Sequence, residues 1–255
     1  MVLSSAIAEE VRYVDTNLGS QKIHIVPAKE TPTEIIVFLH GDSAFRPPTY
    51  QYDIARRITD IKKTAIAIAI LRPGYEDGLG GKSDGRKTNR MGDNYTEDVL
   101  ESMNIIISGL KAEYNLPVVL FGHSGGAALS ALMMNRYPDL SKTALLAACP
   151  CDLDNWRKHQ FERSGRDRWI SDMPGLSPSD EVGDIAEGSR IHMLYGSKDN
   201  VTPLKAMNDY VENLEIRKIY HEVTLLIESS SKGTNNFGHD MILDQTILSS
   251  FLNSY

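Results

Sequence analysis

The chain is short of cysteine, of positive charge and of long apolar runs, and each shortage excludes something. Only two cysteines occur in 255 residues, Cys149 and Cys151 in "AACPCDL". They stand too close for an ordinary stapling bridge and, without nearby histidine partners, are too few for a zinc site, so reduced thiols and no metal are expected. Lysine and arginine number 27 against 34 aspartates and glutamates, and the net charge of -7 argues against nucleic-acid partners. No stretch approaches the ~20 apolar residues of a spanning helix, and "MVLSSAIAEEV" has neither the basic nor the apolar region of an export signal. A soluble, cytoplasmic protein without a membrane partner is the expectation.

What is present is an ordinary globular composition, 41% hydrophobic and 24% charged. That is enough apolar content for a large core, and one α/β domain over 1–255 is the expected organisation. After a hairpin-like region near 11–27, unbroken apolar runs of strand length recur: "EIIVFLH" (34–40), "TAIAIAI" (64–70), "LPVVLFG", "KTALLAACP", "RIHMLYG" and "HEVTLLIES". Runs of this kind suit strands covered on both faces. Between them lie helical spacings in "YQYDIARRITDI", in "YTEDVLESMNIIISGLKAEY" with Thr96 or Asn94 as N-cap, in "PLKAMNDYVENLE" and in the closing "GHDMILDQTILSSFLNSY". Such alternation predicts a mostly parallel central sheet with helices on both faces, whose functional groups gather at the carboxyl ends of the strands. Residues 151–188 break the rhythm with two tryptophans, many charges and no strand pattern. They read as a lid-like insertion.

"LFGHSGGAALSALMMNRYP" places Ser124 between strand and helix in Gly122-His123-Ser124-Gly125-Gly126, a G-x-S-x-G match. The chemistry needs a turn tight enough to project the hydroxyl above the sheet, and glycines two residues away on either side leave room for it. The helix start then aims free N–H groups at any oxyanion formed beside the serine, with Gly125 the natural first donor. The plainer reading is a structural turn, and only a base in the right place decides against it. Of seven histidines, His24, His192 and His221 fall in or beside strands, His159 in the insertion, and His123 should point away from the serine. His239, in a loop after the last strand, is the candidate base. Asp199 in "YGSKDNVTP" is the candidate acid, with Asp152 and Asp154 as competitors; Asp240 is expected to serve the last helix's N-terminus.

With these residues in place the chain resembles the α/β-hydrolases, whose order of nucleophile, acid and base matches Ser124, Asp199 and His239. The resemblance runs over roughly 22–255. It implies that "FLHGD" supplies a second oxyanion donor, the N–H of Asp42 or less readily of Ser43, with the Asp42 carboxylate turned elsewhere. It also implies an esterase-like serine hydrolase acting on a small-molecule acyl substrate, without a cofactor. A peptidase or amidase of the same fold, or a binding protein that retains it, are the other readings. Trp156 and Trp169, with Phe161, could line an acyl or aryl pocket, although aromatic residues of an insertion more often pack it down. "GLGGKS" fails as a phosphate loop, since the first glycine of that motif would fall on Glu76; residues 74–94 read as a flexible loop near the site.

Overall fold

The computed structural model describes residues 8–43, 46–87, 94–171, 175–227 and 237–255. Its centre is an eight-stranded sheet made of β1 (Glu10–Thr16), β2 (Gly19–Val26), β3 (Glu34–Leu39), β4 (Ala65–Ile70), β5 (Val118–His123), β6 (Thr143–Ala147), β7 (Arg190–Gly196) and β8 (Tyr220–Leu226). The spatial order is β1-β2-β4-β3-β5-β6-β7-β8. β1 pairs antiparallel with β2 and β2 antiparallel with β4, while every other neighbouring pair is parallel.

Alternation along each strand sorts side chains to the two faces. Ile35, Val37 and Leu39 of β3 and Ile66, Ile68 and Ile70 of β4 share one apolar layer with α2 (Glu97–Tyr114), α3 (Gly125–Arg136) and α5 (Asn208–Ile216). Ile36 and Phe38 join Ala65, Ala67 and Ala69 in the other layer, with α1 (Tyr50–Ile61) and α6 (Gln245–Leu252). Only Arg136 of α3 is exposed, which explains why that helix reads as apolar on every side: it is enclosed between sheet and neighbours.

Four expectations are corrected. The closing helix does not begin at residue 238. A short 3₁₀ turn (Met241–Leu243) comes first, and Asp244, not Asp240, caps α6 by accepting the Thr246 and Ile247 N–H groups at 2.8 and 3.1 Å. The described part of 74–94 is tied down instead of flexible: Asp77 accepts the Lys22 ammonium (2.5 Å), the Tyr52 hydroxyl (2.8 Å) and the N–H groups of Leu79 and Gly81 (2.8 Å each). Residues 88–93 lie outside the described residues. Cys149 and Cys151 form a disulfide instead of remaining reduced; the turn through Pro150 brings their Cα atoms to 5.1 Å, within bridging range.

The fourth correction concerns the insertion's tryptophans. Residues 151–188 hold α4 (Leu153–Ser164) and two 3₁₀ turns (Asp167–Trp169 and Pro178–Asp184). Trp156 and Trp169 are both buried and meet edge to face, ring centroids 5.2 Å apart. Their area goes into the apolar layer shared with α3 and α5, not a pocket wall.

Candidate active site

β5 ends in His123 and α3 starts at Gly125, so Ser124 makes the whole connection, with φ 53° and ψ -124°. A non-glycine residue in that region is strained and persists only where its surroundings over-determine it. Here its N–H donates to the Ala147 carbonyl on β6 (2.8 Å), and its own carbonyl accepts the Ala127 N–H (2.8 Å). The turn leaves no space beside it. A Cβ on Gly122 would come within 2.2 Å of the Gly126 carbonyl, and one on Gly126 within 2.0 Å of the Leu39 carbonyl.

Ser124, Asp199 and His239 come together as their order along the chain suggests. The Ser124 hydroxyl lies 2.9 Å from His239 Nε2, and His239 Nδ1 lies 2.9 Å from Asp199 Oδ2. Because an ionised carboxylate only accepts, Nδ1 carries the imidazole proton and Nε2 is left as an acceptor facing the serine. The side chain of Asp199 is wholly buried. Its other oxygen accepts the N–H groups of Val201 and Thr202, both at 2.8 Å, so both carboxylate oxygens are hydrogen-bonded within the protein. The Thr202 hydroxyl stands 3.2 Å from the same Nδ1, a contact that sequence reading did not foresee. Asp152 caps α4 by accepting the Asn155 N–H (3.1 Å), which accounts for that competitor.

The acid and base loops are braced by remote segments. The Phe237 carbonyl accepts the Lys198 N–H (3.0 Å) and sits where a Cβ on Gly196 would meet it at 2.1 Å, so the loop carrying His239 docks on the end of β7. α4 clasps the Asp199 turn from the other side: Trp156 Nε1 and Gln160 Nε2 donate to the Val201 carbonyl at 3.0 and 2.5 Å, and His159 Nε2 reaches the Asn200 carbonyl at 2.9 Å.

The segment after β3 faces the serine. His40 is fully buried, and burial holds its imidazole well below the usual range, hence neutral. Its Nε2 accepts the Arg72 backbone N–H (3.1 Å), so Nδ1 is protonated and donates to the Gly41 carbonyl (2.8 Å). That bond fixes the Gly41–Asp42 peptide plane and with it the direction of the Asp42 N–H. Among the described residues neither the Asp42 nor the Gly125 N–H donates a hydrogen bond.

The Asp42 carboxylate departs from expectation. It does not turn away but packs against Gly125, where a Cβ would meet its oxygens at 2.2 and 2.5 Å. Arg72, 2.8 Å from Oδ1, and the Tyr95 hydroxyl, 2.5 Å from Oδ2, make this tolerable by neutralising and satisfying it. Burial is the larger effect and holds the Asp42 carboxyl above the usual carboxylate range, although Arg72 and Tyr95 work against it. In the sequence Arg72 stands before Pro73-Gly74, and nothing local marks it as a counter-ion to a carboxylate thirty residues away. No group of three or more His, Cys, Asp or Glu side chains among the described residues is arranged to hold a metal ion, and no described helix is long and apolar enough to cross a membrane.

No family model and no curated protein matches this sequence. Solved structures do resemble the fold. An esterase of Pyrococcus furiosus aligns over 96% of this chain and 89% of its own with a TM-score of 0.67 and 11% identity. A lipase/esterase of Lactobacillus plantarum aligns over 88% and 93% with a TM-score of 0.63 and 13% identity. An acylaminoacyl peptidase of Pyrococcus horikoshii aligns over 97% of this chain but 40% of its own, with a TM-score of 0.64 and 10% identity. The sheet order, the helices on both faces and these likenesses together give the chain the α/β-hydrolase fold.

Proposed function

We propose that this protein is a serine hydrolase that cleaves small carboxylic esters through an acyl-enzyme on Ser124. The observation that carries the reading is the unbroken hydrogen-bonded series from the Ser124 hydroxyl through His239 to Asp199. In this mechanism His239 Nε2 takes the hydroxyl proton as Ser124 attacks the carbonyl carbon, and Asp199 stabilises the imidazolium that results. The N–H groups of Gly125 and Asp42 hold the oxyanion. His239 returns the proton to the leaving alkoxide; a water deprotonated by the same imidazole then adds to the acyl carbon, the bond to Ser124 Oγ breaks as the acid leaves, and the imidazolium gives its proton back to the serine oxygen. Arg72 keeps the Asp42 charge from opposing the oxyanion.

The test compares the parent chain with Ser124→Ala on p-nitrophenyl acetate and on an aminoacyl anilide, alongside labelling by a fluorophosphonate probe. The parent is expected to label and to prefer the ester, and the variant to lose labelling and about 10⁴-fold or more in kcat. Faster anilide cleavage would make the protein an amidase. Absence of labelling would leave it a binding protein on a hydrolase fold.

A further inference from the structure

His123, expected to point away from the reacting groups, instead lies between the oxyanion loop and the base. Its ring centroid is 5.1 Å from that of His239, and its Nε2 is 2.9 Å from the His239 backbone carbonyl. Its Nδ1 is 2.9 Å from the Tyr50 hydroxyl, and the same hydroxyl accepts the Gly41 N–H at 2.6 Å. Proton positions along this series follow from what each atom can do. A carbonyl only accepts, so Nε2 of His123 carries a proton. Burial, helped by the charge of His239 when protonated, pushes the His123 pKa down to about 4, so near neutrality Nδ1 is bare and must accept. The Tyr50 hydroxyl, kept protonated by burial, therefore donates to Nδ1 and receives Gly41 N–H on its lone pair. Every donor has one acceptor, and the order reads Gly41 N–H to Tyr50, Tyr50 O–H to His123, His123 N–H to His239.

The geometry points to Tyr50 and His123 as positioning residues that hold the Gly41–Asp42 segment and the backbone of the catalytic histidine in fixed register across the serine. Neither touches the substrate. This rests on the hydrolase reading above, in which Asp42 N–H meets the oxyanion and His239 moves the proton. The tie supplements His40: one bond fixes the peptide plane after Gly41, and Tyr50 fixes the plane before it. A merely structural pair would stabilise the fold without coupling these two loops.

The experiment is a double-mutant cycle with conservative replacements, read by kcat and KM on p-nitrophenyl acetate and by thermal melting. Tyr50→Phe keeps the ring packed edge-on against Phe38 and His123 while deleting both hydrogen bonds. Its kcat is expected to fall about tenfold with KM within about twofold, since loss of position is felt mainly in the transition state. His123→Gln, whose amide can still donate to the His239 carbonyl, should retain more kcat than His123→Leu. Tyr50→Phe combined with His123→Leu should cost clearly less than the sum of the two single losses. Parental kcat in both Tyr50→Phe and His123→Leu, or additive losses that track melting temperature, would overturn the proposal. Ser124→Ala run beside them separates the two levels. If it keeps the parental rate, the hydrolase reading fails; if it alone is inactive, only the positioning role fails.

Discussion

At the scale of single residues, reactivity here depends on what small side chains permit. Gly125 is such a case: Ala there would drive its Cβ into a carboxylate that Arg72 and Tyr95 do not release. Gly125→Ala is expected to lower kcat by about 10²-fold, comparable to losing one oxyanion donor, and steady-state kinetics with a fluorophosphonate titration of active sites will show it. Ser124, Asp199 and His239 were legible in the sequence because each follows an apolar strand in a Gly- or Asn-rich turn, and their order matches a known arrangement. Tyr50, Arg72, Tyr95 and Thr202 were not. Tyr50 and Tyr95 stand at the starts of helical patterns, and nothing local tells that each hydroxyl will end beside a loop many residues away.

At the scale of elements, α4 acts on the site through its backbone partners. Its capping aspartate and the αL glycine that ends it, Gly165, make it a well-bounded helix. One face then supplies three side chains to two carbonyls of the Asp199 turn. Replacing His159 and Gln160 together by Ala should loosen that turn, lowering kcat by roughly tenfold while near-ultraviolet dichroism stays parental; an unchanged kcat would show that the clasp does not reach the acid. Sequence reading took 151–188 for a lid-like insertion and left its tryptophans as either pocket lining or packing, because apolar aromatics in an insertion look alike whether they face a ligand or each other. The inner strands β3 to β7 were the most legible elements, since a run covered on both faces needs no phase, whereas β8 proved to be an edge strand with no buried residue. The closing helix was misplaced because "MILDQTIL" continues a helical spacing through the point where Asp244 breaks it.

Across the whole molecule, Asp77 ties three segments to one buried carboxylate: Lys22 of β2, Tyr52 of α1 and the turn to Gly81. Although burial works against it, these partners hold its pKa down to about 2. A carboxylate whose pKa is depressed on folding stabilises the fold above its unfolded pKa of about 3.9 and loses that contribution as pH falls toward 2. Asp77→Asn should cost about 3 kcal/mol at neutral pH by leaving the Lys22 ammonium without its counter-charge, and its urea midpoint should fall less than the parent's between pH 4 and pH 2. The Ser124 torsion has a global consequence of another kind. A serine held in the left-handed region carries about 1–3 kcal/mol of backbone strain, which the sheet and α3 together sustain. Selection for stability and selection for reactivity therefore act on this one bond rotation in opposite directions, and the version of the fold that reacts is not its most relaxed one.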